Sequence, residues 1–260
     1  MARPAHSNDS SIALGQRFKG PGGGTSSWFT FWSRPEGIHI CQRHLEARYR
    51  CVASEFLAAF PDAAGKSLLD YGCGEALESR RLAQRGIAVV LYDRSDYFRQ
   101  RVERRFEGAP GIRILDDSTL AGQAPASLDY ILVCSVIQYL SPAELEALLG
   151  MAHTLLKPGG TLVLADIIPK SLGTFADVVD FLLYSARHRF FFSGLRTLFD
   201  MVATDYRAHL QHSHLVRYDL DALSADLGRH GFQPRRAARN IGISRARRTL
   251  LAVKPEPAAS

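Results

Sequence analysis

Residues 67–78, SLLDYGCGEALE, decide the fold of this 260-residue chain. The apolar pair Leu68 and Leu69 predicts a buried strand, and Asp70 stands near the end of that strand. The tight turn Gly72-Cys73-Gly74 follows, and helix-forming residues come after it. A strand, a glycine turn and a helix in this order let the backbone approach a ligand closely.

Four further apolar runs alternate with helical patterns along the chain and predict buried strands at 87–93, 111–117, 127–134 and 161–169. This alternation predicts a parallel sheet with helices on both faces, in which ligands bind beyond the carboxyl ends of the strands. The residues predicted to lie at that edge are Asp70, Gly72, Gly74, Asp93, Asp117, Cys134 and Asp166.

The segments around this core have different compositions. Residues 1–27 are polar and rich in Gly, Ser and Pro, which predicts a disordered leader. Residues 28–62 hold an aromatic run, WFTFW, and a helical periodicity that Pro61 ends. This segment is either a helical cap over a ligand pocket or a helix packed on the sheet edge. Residues 63–255 form the main predicted domain, which closes with an antiparallel hairpin.

Residues 170–218 interrupt the strand and helix alternation with an apolar helical insertion. Three interpretations stay open for its apolar surface: a lid over an apolar acceptor, a dimer interface, or a peripheral membrane or lipid contact through 175–199. The chain is accordingly expected to be a monomer or a homodimer.

Composition limits the class of protein. The net charge of +6 permits acidic partners but does not require nucleic acid. The four cysteines form no CxxC pair, so neither a zinc site nor a disulfide framework is expected. The chain has no signal-peptide pattern and no apolar run of about 18 residues, and a cytoplasmic protein is expected.

The pattern Asp70-x-Gly72-x-Gly74 resembles motif I of the class I S-adenosylmethionine-dependent methyltransferases. The resemblance continues with Asp93 after the second strand, with SLDYILVCSVIQYL at the fourth, and with LKPGGTLVLAD leading into the fifth. A dinucleotide fingerprint would need a third glycine where Leu77 stands, which argues against a nicotinamide dehydrogenase.

The resemblance implies a Rossmann-like, doubly wound α/β fold with a seven-stranded, mostly parallel sheet, an antiparallel terminal strand and S-adenosyl-L-methionine as cofactor. It implies that Asp70 orients the turn or accepts from the cofactor's ammonium, that Asp93 accepts from both ribose hydroxyls, and that Asp117 accepts from the adenine amino group. The full set of cofactor-binding candidates is Asp70, Gly72, Cys73, Gly74, Asp93, Arg94, Asp117, Ser118 and Cys134.

The resemblance further implies transfer of a methyl group to an O or N atom of a small acceptor, apolar or aromatic, of the kind met in secondary metabolism. The candidates for acceptor contact or general base are Tyr139, His212 and His214, and no metal is expected. Nucleic acid is disfavoured as substrate, because the Asn/Asp-Pro-Pro-aromatic run of the amino-directed DNA enzymes does not follow the fourth strand and no separate RNA-binding domain is recognisable. An RNA methyltransferase and a non-catalytic, cofactor-binding regulatory protein remain the alternatives.

Overall fold

The computed structural model describes residues 42–173 and 215–257. The predicted leader 1–27, the aromatic run 28–32, the segment 175–199, His212 and His214 all lie outside the described residues.

The described chain forms a seven-stranded sheet with the strand order β3-β2-β1-β4-β5-β7-β6. The strands are β1 (Ser67–Tyr71), β2 (Ala88–Tyr92), β3 (Ile112–Leu115), β4 (Leu128–Cys134), β5 (Leu156–Ile167), β6 (Gln233–Arg236) and β7 (Arg248–Val253). Strands β1 to β5 pair in parallel, and β7 runs antiparallel to both β5 and β6. The predicted fold class is therefore confirmed, and its terminal hairpin contributes β6 and β7.

Helices cover both faces of this sheet because its central strands are apolar on both sides. They are α1 (Gln42–Ala59), α2 (Ser79–Gln84), α3 (Asp96–Phe106), α4 (Asp117–Ala121), α5 (Pro142–Leu155) and α6 (Leu220–Arg229), with a 3₁₀ turn at Ile137–Tyr139. One core cluster joins α1, α2 and α3 to the sheet, and the other joins α4, α5 and α6 to its opposite face. No helix in the described ranges is long and apolar enough to cross a membrane.

Helix α5 begins where its sequence predicts. The Ser141 hydroxyl accepts from the Glu144 backbone N–H, and the Glu144 side chain accepts from the Ser141 backbone N–H, which completes a capping box with Pro142 in the first turn.

Two boundaries differ from the prediction. Helix α2 begins at Ser79 and not directly after the glycine turn, because Ala76 has a φ of 49° and this left-handed residue interrupts the helical path. Strand β5 begins at Leu156, which pairs with Leu128, and not at residue 161 as predicted, because residues 157–160 form a register shift inside the strand.

The described flanks of the insertion meet at the carboxyl edge of the sheet. The Lys170 backbone N–H donates to the Tyr218 carbonyl at 2.8 Å, and the Tyr218 N–H donates to the Ile168 carbonyl at 2.8 Å. The Tyr218 hydroxyl also donates to the Ile137 carbonyl at 2.6 Å. Both described flanks therefore lie beside the 3₁₀ turn that follows β4.

Candidate active site

The glycine turn is held against the end of β2. The backbone N–H groups of Gly72 and Cys73 donate to the Tyr92 carbonyl at 2.8 and 3.1 Å. Gly72 and Gly74 have φ values of 78° and 55°, in the region that favours glycine. The turn therefore brings the ends of β1 and β2 together at the edge where ligands bind to such sheets.

One protein side chain lies close to each of the two glycines. A Cβ at Gly72 would lie 2.5 Å from the Val136 Cγ2, and a Cβ at Gly74 would lie 2.6 Å from the Tyr49 hydroxyl oxygen. The sequence prediction explained both glycines by the space that a ligand needs. The structure adds a reason in the protein itself, because neither position has room for a side chain.

Tyr49 links α1 to the turn. Its hydroxyl donates to the Cys73 carbonyl at 3.0 Å and accepts from the Glu75 backbone N–H at 2.7 Å. Burial raises the pKa of Tyr49, so the hydroxyl stays protonated and can serve both bonds. Helical periodicity places Tyr49 on the apolar face of α1, but nothing local in the sequence reveals which backbone groups its hydroxyl would reach.

Asp93 closes the other side of the turn. One carboxylate oxygen accepts from the Gly74 backbone N–H at 2.9 Å, and the other accepts from the Ser95 backbone N–H at 2.8 Å. Each carboxylate oxygen has a second lone pair, so Asp93 can still accept from two neighbouring hydroxyls of a ligand. Burial raises the pKa of Asp93, while the two backbone hydrogen bonds oppose that shift.

Arg48 and Asp70 are charges of opposite sign at this edge, and neither has a hydrogen bond or ion pair to any described residue. Burial, and then the charge of Asp93, raise the pKa of the Asp70 carboxyl to about 7, while Arg48 lowers it. Burial lowers the pKa of Arg48, but the ionisable groups around it, with Cys134, Tyr49 and Asp166 foremost, outweigh burial and raise that pKa above its ordinary value. The two side chains can hold a ligand that carries both an anionic and a cationic group. Sequence reasoning missed Arg48.

The end of β3 presents two adjacent acids with different roles. Asp116 caps α4, where its carboxylate accepts from the Thr119 backbone N–H and the Ser118 hydroxyl, both at 2.8 Å. These bonds hold the pKa of Asp116 well below its usual range. Asp117 accepts from the Tyr92 hydroxyl at 2.8 Å, and its side chain is 70% exposed. Asp117 thus keeps acceptor capacity for a ligand, whereas Asp116 is occupied within the cap.

Arg94 lies on the surface just after β2. Its guanidinium pairs with Glu144 at 2.8 Å, and both side chains are partly exposed. This pair joins the loop that contains Asp93 to the start of α5.

The ends of β4 and β5 carry a buried polar network. Ser135 and Asp166 have φ values of 57° and 58°, and the Ser135 hydroxyl donates to the Asp166 carboxylate. The same carboxylate pairs with Arg247 at 2.8 Å and accepts from the Asn240 amide at 3.2 Å. Left-handed residues other than glycine are costly and persist where surrounding bonds fix them.

Cys134 and Tyr139 lie beside this network. The Cys134 thiol contacts the Ile241 carbonyl at 3.7 Å, and burial raises the pKa of that thiol to about 12, which keeps it neutral. Tyr139 is half-buried in the 3₁₀ turn and lies near Arg48. Among the described residues no group of three or more His, Cys, Asp or Glu side chains could hold a metal ion.

The family model described as a methyltransferase domain matches residues 42–236 of this chain. The chain belongs to this family. The match contains the glycine turn, Asp93, the end of β3 and the ends of β4 and β5. The chain is a class I S-adenosylmethionine-dependent methyltransferase, and S-adenosyl-L-methionine is its cofactor.

Two relatives illustrate the sequence similarity. An uncharacterized methyltransferase of Geobacillus kaustophilus is 26% identical over 202 residues, which cover 76% of this chain and 85% of the relative. The ubiquinone biosynthesis O-methyltransferase of Azotobacter vinelandii is 31% identical over 109 residues, which cover 40% of this chain and 45% of that enzyme.

Two solved structures share the fold. The methyltransferase in a complex with the Trm112 methyltransferase activator of Haloferax volcanii has a TM-score of 0.58 at 15% identity, covering 90% of this chain and all of that one. Magnesium protoporphyrin IX methyltransferase from Synechocystis PCC 6803, solved with bound cofactor, has a TM-score of 0.52 at 17% identity, covering 96% of this chain and all of that one.

The pKa of Asp70 predicts how cofactor affinity depends on pH. Only the ionised carboxylate attracts the cofactor's ammonium, and a carboxyl with a pKa of about 7 is ionised in a minority of molecules at pH 6. We expect calorimetric titration to show affinity for S-adenosylhomocysteine rising about tenfold from pH 6 to pH 7.5. Asp70→Asn should remove this rise. A rise that persists in Asp70→Asn and disappears in Asp93→Asn would assign it to Asp93.

Proposed function

We propose that this enzyme moves a methyl group from S-adenosylmethionine to an oxygen or nitrogen atom of a small, apolar or aromatic acceptor by in-line displacement. The observation that carries the proposal is a pair of oppositely charged side chains beside the glycine turn, neither of which has a hydrogen bond or ion pair to a described residue. Among the described residues, Arg48 and Asp70 match the carboxylate and ammonium of the cofactor's amino acid portion. They would hold that portion next to the ends of β4 and β5.

The remaining cofactor contacts follow from the same orientation. Asp93 would accept from the two ribose hydroxyls with the lone pairs that the turn leaves unused. Asp117 would accept from the adenine amino group, with Ser118 next to it at the start of α4. When bound, the cofactor supplies a methyl group that its positively charged sulfur has already activated.

The protein's own contribution is mainly placement. Holding the acceptor atom in line with the methyl group can lower the barrier by about 7–11 kcal/mol. A general base is needed only when the acceptor atom starts out protonated, as in a phenol or an ammonium. Tyr139 is the candidate among the described residues, and His212 and His214 are candidates outside them.

The residues around the carboxyl edge of the sheet support the acceptor class. The insertion's flanks meet there, and Leu215 and Val216 expose 39% and 38% of their surface. Exposed apolar groups at this edge suit an apolar or aromatic acceptor. The similarity to the Azotobacter enzyme, which is named an O-methyltransferase, agrees with transfer to oxygen. We place this activity in the cytoplasm and in secondary metabolism, and we expect the enzyme to be a monomer or a homodimer.

Methyl transfer from isotopically labelled cofactor tests the proposal. Phenols, amines and carboxylic acids are offered to the purified chain, with RNA as a separate arm and Asp93→Ala as the variant. We expect labelled small-molecule product, and a weakening of cofactor binding in the variant by about 1.5–3 kcal/mol, the value of hydrogen bonds to a charged group. Label transferred only to RNA, or to no acceptor despite tight cofactor binding, would overturn the acceptor class.

A further inference from the structure

A cavity lies between α1, α3 and the segment that follows the glycine turn. Its volume is about 270 Å³, and its lining residues are Gln42, Leu45, Glu75, Leu77, Tyr97, Arg101 and Arg105. None of the cofactor-binding candidates lines this cavity. It is therefore distinct from the proposed cofactor site, although Glu75 directly follows Gly74.

The cavity contains more positive than negative charge. One oxygen of the buried Glu75 carboxylate accepts from the Arg101 Nε at 2.7 Å, and the other accepts from an Arg105 terminal nitrogen at 2.8 Å. Arg105 also donates to the Glu75 backbone carbonyl. No other carboxylate among the described residues pairs with either arginine, so two guanidiniums share one carboxylate.

Both arginines have N–H groups that donate to no acceptor among the described residues. Arg101 uses only its Nε on Glu75, which leaves both of its terminal nitrogens, and Arg105 keeps its Nε. The Arg101 and Arg105 side chains are 39% and 31% exposed, so a solute can reach them. The Arg101 guanidinium lies 5.4 Å from the centre of the Tyr97 ring, which helps to fix its orientation.

We propose that this cavity binds the phosphate group of a small molecule. A guanidinium fork matches phosphate oxygens in geometry and in charge. The three oxygens of a phosphate group can bridge two neighbouring guanidiniums while Glu75 keeps both in place. A cavity of about 270 Å³ lies just below the usual range for sites of drug-sized ligands, so it suits a phosphate with a small organic body.

Arg104 provides a matched control on the same helix. Its Nε donates to the Gln100 carbonyl at 3.1 Å, and it does not line the cavity. Arg101→Gln and Arg104→Gln therefore remove the same charge from α3 but affect the cavity differently. Arg101→Lys keeps the charge beside Glu75 and loses only the fork, and it replaces Arg101→Gln should that variant not fold.

Calorimetric titration of the full chain with inorganic phosphate and with glycerol 3-phosphate, at constant ionic strength, tests the proposal. We expect saturable binding of both, tighter for glycerol 3-phosphate, with affinity at least tenfold weaker in Arg101→Gln and Arg101→Lys and unchanged in Arg104→Gln. Absence of saturable binding, or an equal loss in Arg104→Gln, would overturn the site.

Vesicles that contain phosphatidic acid form a further arm of the same experiment. Binding to these vesicles without binding of either soluble phosphate would replace the cavity with a surface contact to lipid and would also overturn the proposal. Because no arm measures methyl transfer or cofactor binding, failure of this proposal is distinguishable from failure of the proposed function.

Discussion

Arg48→Gln is expected to weaken binding of S-adenosylmethionine and S-adenosylhomocysteine by roughly 30- to 1,000-fold, or about 2–4 kcal/mol, the usual cost of removing one partner from a buried charge pair. Both ligands contain the carboxylate that Arg48 would hold. Methylthioadenosine contains the nucleoside and the sulfur but no amino acid portion. Its affinity should therefore be unchanged in Arg48→Gln, whereas Asp93→Ala should weaken the binding of all three ligands.

Arg50→Gln is the control for this experiment. Arg50 lies two positions further along α1 and is exposed, so its replacement changes the net charge equally without reaching the site. Calorimetric titration of each variant with the three ligands gives the comparison. Equal losses for methylthioadenosine and S-adenosylmethionine in Arg48→Gln would show that Arg48 shapes the whole pocket and does not bind the carboxylate.

The parts of the fold that the sequence predicts well depend on local signals. The strand-turn-helix pattern at Gly72 and Gly74 and the capping box at Ser141 are each encoded within a few neighbouring residues. The parallel sheet with helices on both faces follows from the alternation, and the seven strands with an antiparallel terminal strand follow from the family resemblance. The structure confirms this fold class. The boundary at α2 was missed because a left-handed alanine, Ala76, carries no signal in the sequence.

The parts of the candidate site that the sequence does not reveal depend on contacts between distant segments. Arg48 and Tyr49 belong to the candidate site only because α1 packs against the glycine turn. Tyr49 and Cys73, which are hydrogen-bonded there, are 24 residues apart in the sequence. The pairing of Asp166 with Arg247 spans 81 residues and requires β7 to lie against β5 in the correct register. Helical periodicity predicts which face of α1 is buried, but it does not predict the partners of that face.

Gly72→Ala is expected to lower the free energy of unfolding by about 2–5 kcal/mol. About 1–2 kcal/mol comes from placing a Cβ on a left-handed residue, and about 1–3 kcal/mol comes from overpacking. The overpacking arises because the new Cβ would lie 2.5 Å from the Val136 Cγ2. A side chain at position 72 therefore destabilises the fold itself, whatever its effect on cofactor binding.

Two further variants separate these contributions in denaturant unfolding. Gly108 has a φ of 65°, and a Cβ at this position would have no neighbouring atom within 4 Å, so Gly108→Ala should show the backbone cost alone, about 1–2 kcal/mol. Adding Val136→Ala to Gly72→Ala should recover the overpacking cost, so that the two substitutions together are less destabilising than the sum of each alone. If the losses in unfolding free energy of the two substitutions simply added, the clash would be contradicted. The methyl group of Val136 would then not be the group that excludes a side chain from position 72.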